Sequence, residues 1–189
     1  MKSKTQKEYA NKIITIPNIM SVFRLALIPL FVWLYCAKEE YLWAALVLFI
    51  SSVTDVADGW IARKFKMISE VGKALDPIAD KLNQMAVLIC LMTRFPMMLV
   101  LVIFFVIKEC IMGITGLLVI RKTGKVYGAD WHGKLNTCLL YLIITIHILW
   151  TDIPVTLSDV LLCICFAAMT ASLVLYAMRN CRILKEKQS

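Results

Sequence analysis

Six apolar runs, each close to the ~20 residues that cross about 30 Å of hydrocarbon as a helix, take up nearly the whole chain. They cover about 19–37, 41–63, 73–92, 97–120, 134–150 and 159–178, with short polar connections between them. A backbone surrounded by lipid must satisfy every N–H and C=O within itself, and a helix does so. The pattern predicts an all-α integral membrane protein of six transmembrane helices, with no room for a soluble domain. Composition agrees: 60% of the 189 residues are hydrophobic, and the mean hydropathy is +0.76.

The connections set the topology. The formal net charge is +8, and the basic residues fall in blocks. Lys2, Lys4, Lys7 and Lys12 precede the first run, and Arg63, Lys64, Lys66 and Lys73 separate the second from the third. Arg121, Lys122, Lys125 and Lys134 lie between the fourth and fifth, and Arg179, Arg182, Lys185 and Lys187 follow the sixth. Six spans put every such block on one side, so both termini are expected in the cytoplasm. This distribution favours anionic lipid head groups over nucleic acid as the partner. The chain divides into an N-terminal cytoplasmic segment, 1–15, a membrane domain, 16–180, and a basic cytoplasmic tail, 181–189. The N-terminal segment alternates basic and apolar residues and can lie as a helix on the membrane surface. It is too polar for a signal peptide, and the short chain reads as a protein of the bacterial inner membrane. Pro17 interrupts any earlier helix, with Asn18 or Ser21 expected to cap the first span.

Between the second and third spans lies DVADGWIARKFKMISEVGKALDPIAD, residues 55–80. Asp55 and Asp58 are three apart and Asp76 and Asp80 four apart, so each pair shares a helix face. The basic turn Arg63-Lys64-Phe65-Lys66 lets the two helices fold back, which brings four carboxylates together at the cytoplasmic helix ends. As caps or loop residues they would mean little. As a cluster at membrane depth they repel, and burying them unpaired is expensive. One or two divalent cations remove that cost, and a donor set without His or Cys suits Mg²⁺ or Mn²⁺ better than zinc. Cations so held bind pyrophosphate and stabilise charge at phosphorus. Gly59 and Ala62 strip bulk from the helix face beside the carboxylates, and Arg63 is placed to meet a phosphate.

The other polar residues carry less. The seven cysteines show no metal-ligand spacing and sit mostly in apolar runs, so neither a disulfide nor a zinc site is read from them. His147, inside the fifth run, is expected to hydrogen-bond across helices, and His132 to lie at the interface.

The motif D-VA-DG-WI-AR, eight residues, then G-KAL-D-PIA-D resembles the signature of the CDP-alcohol phosphotransferase family. Asp55, Asp58, Gly59, Ala62, Arg63, Gly72, Asp76 and Asp80 match its fixed positions. The resemblance implies a homodimer of six-helix membrane domains, with two divalent cations, Mg or Mn, in a cavity facing the cytoplasm. It implies Asp55, Asp58 and Asp76 as the main metal ligands, and Asp80 as the base for the acceptor hydroxyl, also near the second metal. Asp55, Gly59, Ala62, Arg63 and Gly72 would form the surface for the cytidine diphosphate moiety.

Residues 16–24, IPNIMSVFR, and 75–81, LDPIADK, are similar to bacterial phosphatidylglycerophosphate synthases and to the cardiolipin synthases built on this fold. The expected reaction moves a phosphatidyl group from CDP-diacylglycerol to a polar, phosphate-bearing alcohol. For glycerol 3-phosphate the products are phosphatidylglycerophosphate and CMP. Such an acceptor needs basic partners, and Lys81, Lys108, Lys134 and Arg24 are the candidates. Lys108 is mid-span with Glu109 beside it, where the glycerophosphate synthases tend to carry Arg-Glu. Gly133-Lys134-Leu135-Asn136-Thr137 is similar to a stretch common to both groups. The alternatives are phosphatidylglycerol as acceptor, giving cardiolipin, and, from another class, a small cation transporter built on intramembrane carboxylates.

Overall fold

The computed structural model describes residues 15–65, 70–124 and 131–186, and all regular structure among them is helical. The expected surface helix before Thr15, the turn residue Lys66 and the end of the basic tail lie outside the described residues. The helices are α1 (Ile16–Val32), α2 (Tyr41–Lys64), α3 (Glu70–Met92), α4 (Met98–Thr123), α5 (Trp131–Leu149) and α6 (Val155–Glu186). A π-helical turn, Trp33–Ala37, extends α1.

Helix ends depart from the sequence expectation for local reasons. Thr15 caps α1, its hydroxyl accepting from the Asn18 N–H at 3.4 Å. Pro17 sits in the first turn, where a missing N–H has no helical partner to lose. Asn18 and Ser21, expected as caps, therefore fall inside the helix, and the Ser21 hydroxyl donates to the Pro17 carbonyl at 3.1 Å. Pro29 removes a bond in the interior of α1, and the π turn follows one turn later. Glu39, in the left-handed region with φ 55°, then turns the chain into α2. α4 ends on Gly124, whose φ of 68° is easy for glycine, and its N–H bonds the Ile120 carbonyl at 2.8 Å. α6 begins after Pro154 and stays helical through its basic end, where Lys and Arg suit both helix propensity and the dipole.

Among the described residues, four helical stretches are long and apolar enough to cross a membrane: Ile16–Ala37, Tyr41–Ala62, Met98–Thr123 and Val155–Leu184. Gly133–Leu149 is apolar but shorter. α3 stands apart because Glu70, Lys73, Asp76, Asp80 and Lys81 crowd its first half; only the stretch after Gln84 is wholly apolar. Large apolar side chains such as Leu42, Phe49, Val56, Ile114 and Leu117 are exposed, as suits a lipid solvent.

The chain forms two compact units, Met1–Cys90 and Leu91–Ser189. In the first, α1 packs along α2, with Leu27, Phe31, Ala44 and Leu48 buried. Tyr35 stacks on Phe31 at 5.8 Å and meets Tyr41 edge-on at 5.3 Å between ring centroids. In the second, α6 packs against both α4 and α5, and Phe104 meets Phe166 at 4.4 Å.

Candidate metal centre

The aspartates come together through three helices of the first unit. α2 presents Asp55 and Asp58 a turn apart on one face, and α3 brings Asp76. One oxygen from each of the three lies within 4.8 Å of the others. Opposite ligands of an octahedral Mg²⁺ or Mn²⁺ stand ~4.2 Å apart at the usual ~2.1 Å bond length, so oxygens within 4.8 Å of one another need a modest side-chain shift to share one shell. Hard, anionic and without nitrogen or sulfur, the donor set fits a divalent cation of that class.

Arg24, from α1, already reaches into the triad. Its side chain is 1% exposed. Nη1 stands 2.6 Å from Asp55 Oδ1; Nη2 bonds Asp58 Oδ2 and approaches Asp76 Oδ1 at 3.3 Å. Asp58 is equally buried, whereas Asp55 and Asp76 are more than two-fifths exposed. A lone buried guanidinium costs several kcal/mol, and the carboxylates offset that. Three acids against one base still leave an excess of two negative charges when all are ionised. The triad therefore keeps an excess of negative charge that a divalent cation can neutralise.

Asp80 stands outside the three-oxygen group. It lies one turn beyond Asp76 on α3, and both its oxygens accept from Gln84 Nε2, at 3.1 and 3.2 Å. Lys81 Nζ is 3.9 Å from Asp80 Oδ2 and 3.4 Å from Gln84 Oε1. Between the acids, Pro77 leaves the Lys73 carbonyl without its helical donor. The arrangement separates one carboxylate from three: a triad that can hold a cation, and a fourth acid oriented by an amide.

The pattern of the family described as CDP-alcohol phosphatidyltransferase matches residues 14–178, nearly the whole helical part of the chain. The chain belongs to the CDP-alcohol phosphatidyltransferase family. Within the family it is 43% identical over 100 residues to a cardiolipin synthase (CMP-forming) of Streptomyces coelicolor, a match covering 49% of this chain and 46% of that one. It is 43% identical over 77 residues to a putative cardiolipin synthase of Mycobacterium tuberculosis, covering 41% of this chain and 37% of the relative. A CDP-diacylglycerol–glycerol-3-phosphate 3-phosphatidyltransferase of Bacillus subtilis is 35% identical over 137 residues, covering 65% of this chain and 70% of the relative. The chain thus spans about half the length, or less, of the first two relatives.

The other sites inferred from the phosphatidyltransferase motif are spread along the helices. Gly59 and Ala62 are half-buried on α2, Arg63 belongs to its last turn, and Gly72 is half-buried on α3. The Arg63 side chain is outside the described residues. Among the acceptor candidates, Lys81 is a neighbour of Asp80, while Arg24 is engaged with the triad. Lys108 and Lys134 belong to the second unit. Lys108 is 4% exposed and its Nζ donates to Glu109 Oε1 at 2.8 Å; Lys134 is exposed near the start of α5.

Two features of the site escape a reading of the sequence alone. Gln84 carries no motif signal, although it sits four residues after Asp80 on the same helix face and is 1% exposed. Arg24 is expected only at an acceptor phosphate, although a charged residue inside an apolar run signals a partner at membrane depth.

Proposed function

We propose that this phosphatidyltransferase moves the phosphatidyl group of CDP-diacylglycerol onto glycerol 3-phosphate, releasing CMP and forming phosphatidylglycerophosphate. The observation that carries this reading is the grouping of Asp55, Asp58 and Asp76, with Asp80 held apart by Gln84. Two divalent cations, Mg²⁺ or Mn²⁺, would be held by the triad and Asp80, and when bound they neutralise the pyrophosphate and the departing CMP. The chain's own residues do the rest. Asp80 takes the proton of the acceptor hydroxyl as its oxygen bonds to the phosphatidyl phosphorus and the bond from that phosphorus to CMP breaks. Gln84, donating to both oxygens, orients that carboxylate. Gly59, Ala62, Arg63 and Gly72, with Asp55, form the surface for the cytidine diphosphate. Lys81, Lys108, Lys134 and Arg24 are the candidates for the acceptor phosphate.

The same reading places six spans in the bacterial inner membrane as a homodimer of the 16–180 domain, with both termini and the site facing the cytoplasm. Its support is the charge of the connections. A second acceptor, phosphatidylglycerol, is favoured by one observation: the relatives named cardiolipin synthase reach 43% identity, against 35% for the glycerol-3-phosphate enzyme of Bacillus subtilis. Membership of a transferase family leaves the cation-transport alternative without support.

The test is CMP release by the purified protein in detergent with CDP-diacylglycerol and Mg²⁺ or Mn²⁺, each acceptor offered alone. Release with glycerol 3-phosphate only is the expected result. Release with phosphatidylglycerol only makes the chain a cardiolipin synthase, and release with neither removes both readings.

A further inference from the structure

We propose that Arg24 is an exchangeable counter-ion of the aspartate triad. Its guanidinium contacts Asp55, Asp58 and Asp76, and a divalent cation taken up by the three carboxylates displaces it. The inference rests on the reading of the triad as a metal centre and adds a residue of this chain that competes with the metal there.

The first reason is competition for the same carboxylates. The guanidinium touches one oxygen of each, and a ligand oxygen from each of the three lies within 4.8 Å of the others. A cation bonded to all three at ~2.1 Å competes with the guanidinium for them.

The second reason is the way Arg24 is held. A guanidinium fixed permanently to acids usually grips one carboxylate with two parallel N–H bonds. Here each acid receives a single contact. Nη1 approaches Asp55 without hydrogen-bond geometry, Nη2 is shared between Asp58 and Asp76, and the buried Nε has no hydrogen-bond partner among the described residues. Only Nη2 makes directed hydrogen bonds, divided between Asp58 and Asp76, so charge carries much of the hold, and a smaller ion of twice the charge can replace it.

The third reason is balance. The four aspartates and Arg24 sum to three negative charges, whereas the four aspartates and two divalent cations sum to zero with Arg24 outside. Arg24 thus keeps repelling acids assembled before loading, and this weakens metal binding. Its contacts reach residues 34 and 52 positions away on two other helices, so its release also loosens α1 from α2 and α3.

The experiment uses the full-length protein in detergent, stripped with EDTA and titrated with Mn²⁺ by electron paramagnetic resonance, alongside Arg24→Gln and Arg24→Lys. Thermal unfolding is followed with and without Mn²⁺. Arg24→Gln is expected to bind Mn²⁺ at least ~10-fold more tightly, the factor that ~1.4 kcal/mol of relieved competition yields. It should also unfold at lower temperature than wild type in EDTA and recover with Mn²⁺. Arg24→Lys should fall between, because one ammonium cannot bridge three carboxylates. Should Arg24→Gln fold only with Mn²⁺, Arg24→Lys against wild type decides the affinity question. Equal or weaker Mn²⁺ binding in the variants, with wild type binding normally, overturns the exchange and leaves the metal centre standing. No Mn²⁺ bound by any of the three proteins overturns the metal centre and the exchange with it.

Discussion

In the second unit, the buried groups His147, Asn180 and Lys108 meet partners of matching charge. His147 is fully buried, and because its Nδ1 lies 2.8 Å from the Ile143 carbonyl, which only accepts, that nitrogen carries the proton. Nε2 then accepts from the Ser158 hydroxyl at 2.9 Å, joining α5 to α6 as the sequence suggested for this histidine. Asn180 Nδ2 donates to Thr115 Oγ1 at 3.1 Å, joining α6 to α4, and Lys108 pairs with Glu109. In the first unit three carboxylates share one guanidinium. The neutral His147–Ser158 and Asn180–Thr115 bonds of the second unit act as ties between helices. The cluster of the first keeps an unbalanced negative charge that a cation can neutralise, which the ties of the second do not.

Variants can separate the two kinds of site. Asp80→Asn is expected to lower the rate of CMP release by ~10²–10⁴-fold, the usual contribution of a positioned base, with unfolding temperature and Mn²⁺ binding by the Asp55–Asp58–Asp76 triad nearly unchanged. Full activity in that variant would remove Asp80 from the role of base. In the second unit, Glu109→Ala strips the buried Lys108 of its carboxylate and should cost about 3–5 kcal/mol in unfolding experiments. A cost near zero would mean that Lys108 reaches water or another acid. Ser158→Ala leaves His147 Nε2 without its donor and should cost about 1–3 kcal/mol of stability, with turnover per folded molecule preserved. A selective loss of turnover there would break the division into ties and centre. The smallest effect belongs to Thr115→Val, which keeps shape but removes the acceptor of Asn180. A shift of roughly 0.6 kcal/mol, typical of hydrogen bonds between membrane helices, is expected in thermal unfolding.

By itself the sequence determined the features that depend on local pattern. Apolar runs of the right length made the helices, because lipid leaves the backbone no other partner. Spacings of three and four placed Asp55 with Asp58 and Asp76 with Asp80, because the helix repeat is itself local. The family motif was readable for the same reason, all its fixed positions lying within 55–80. Helix ends were less legible: a proline reads as a break until a cap such as Thr15 makes it the first turn. Only the tertiary structure decided how the charges were shared. Arg24 meets aspartates 34 and 52 residues away because α1 packs along α2 and reaches α3, and no local spacing encodes that approach. The partner of Asp80, a buried amide one turn on at Gln84 that donates to both its oxygens, likewise shows only once side chains take their places.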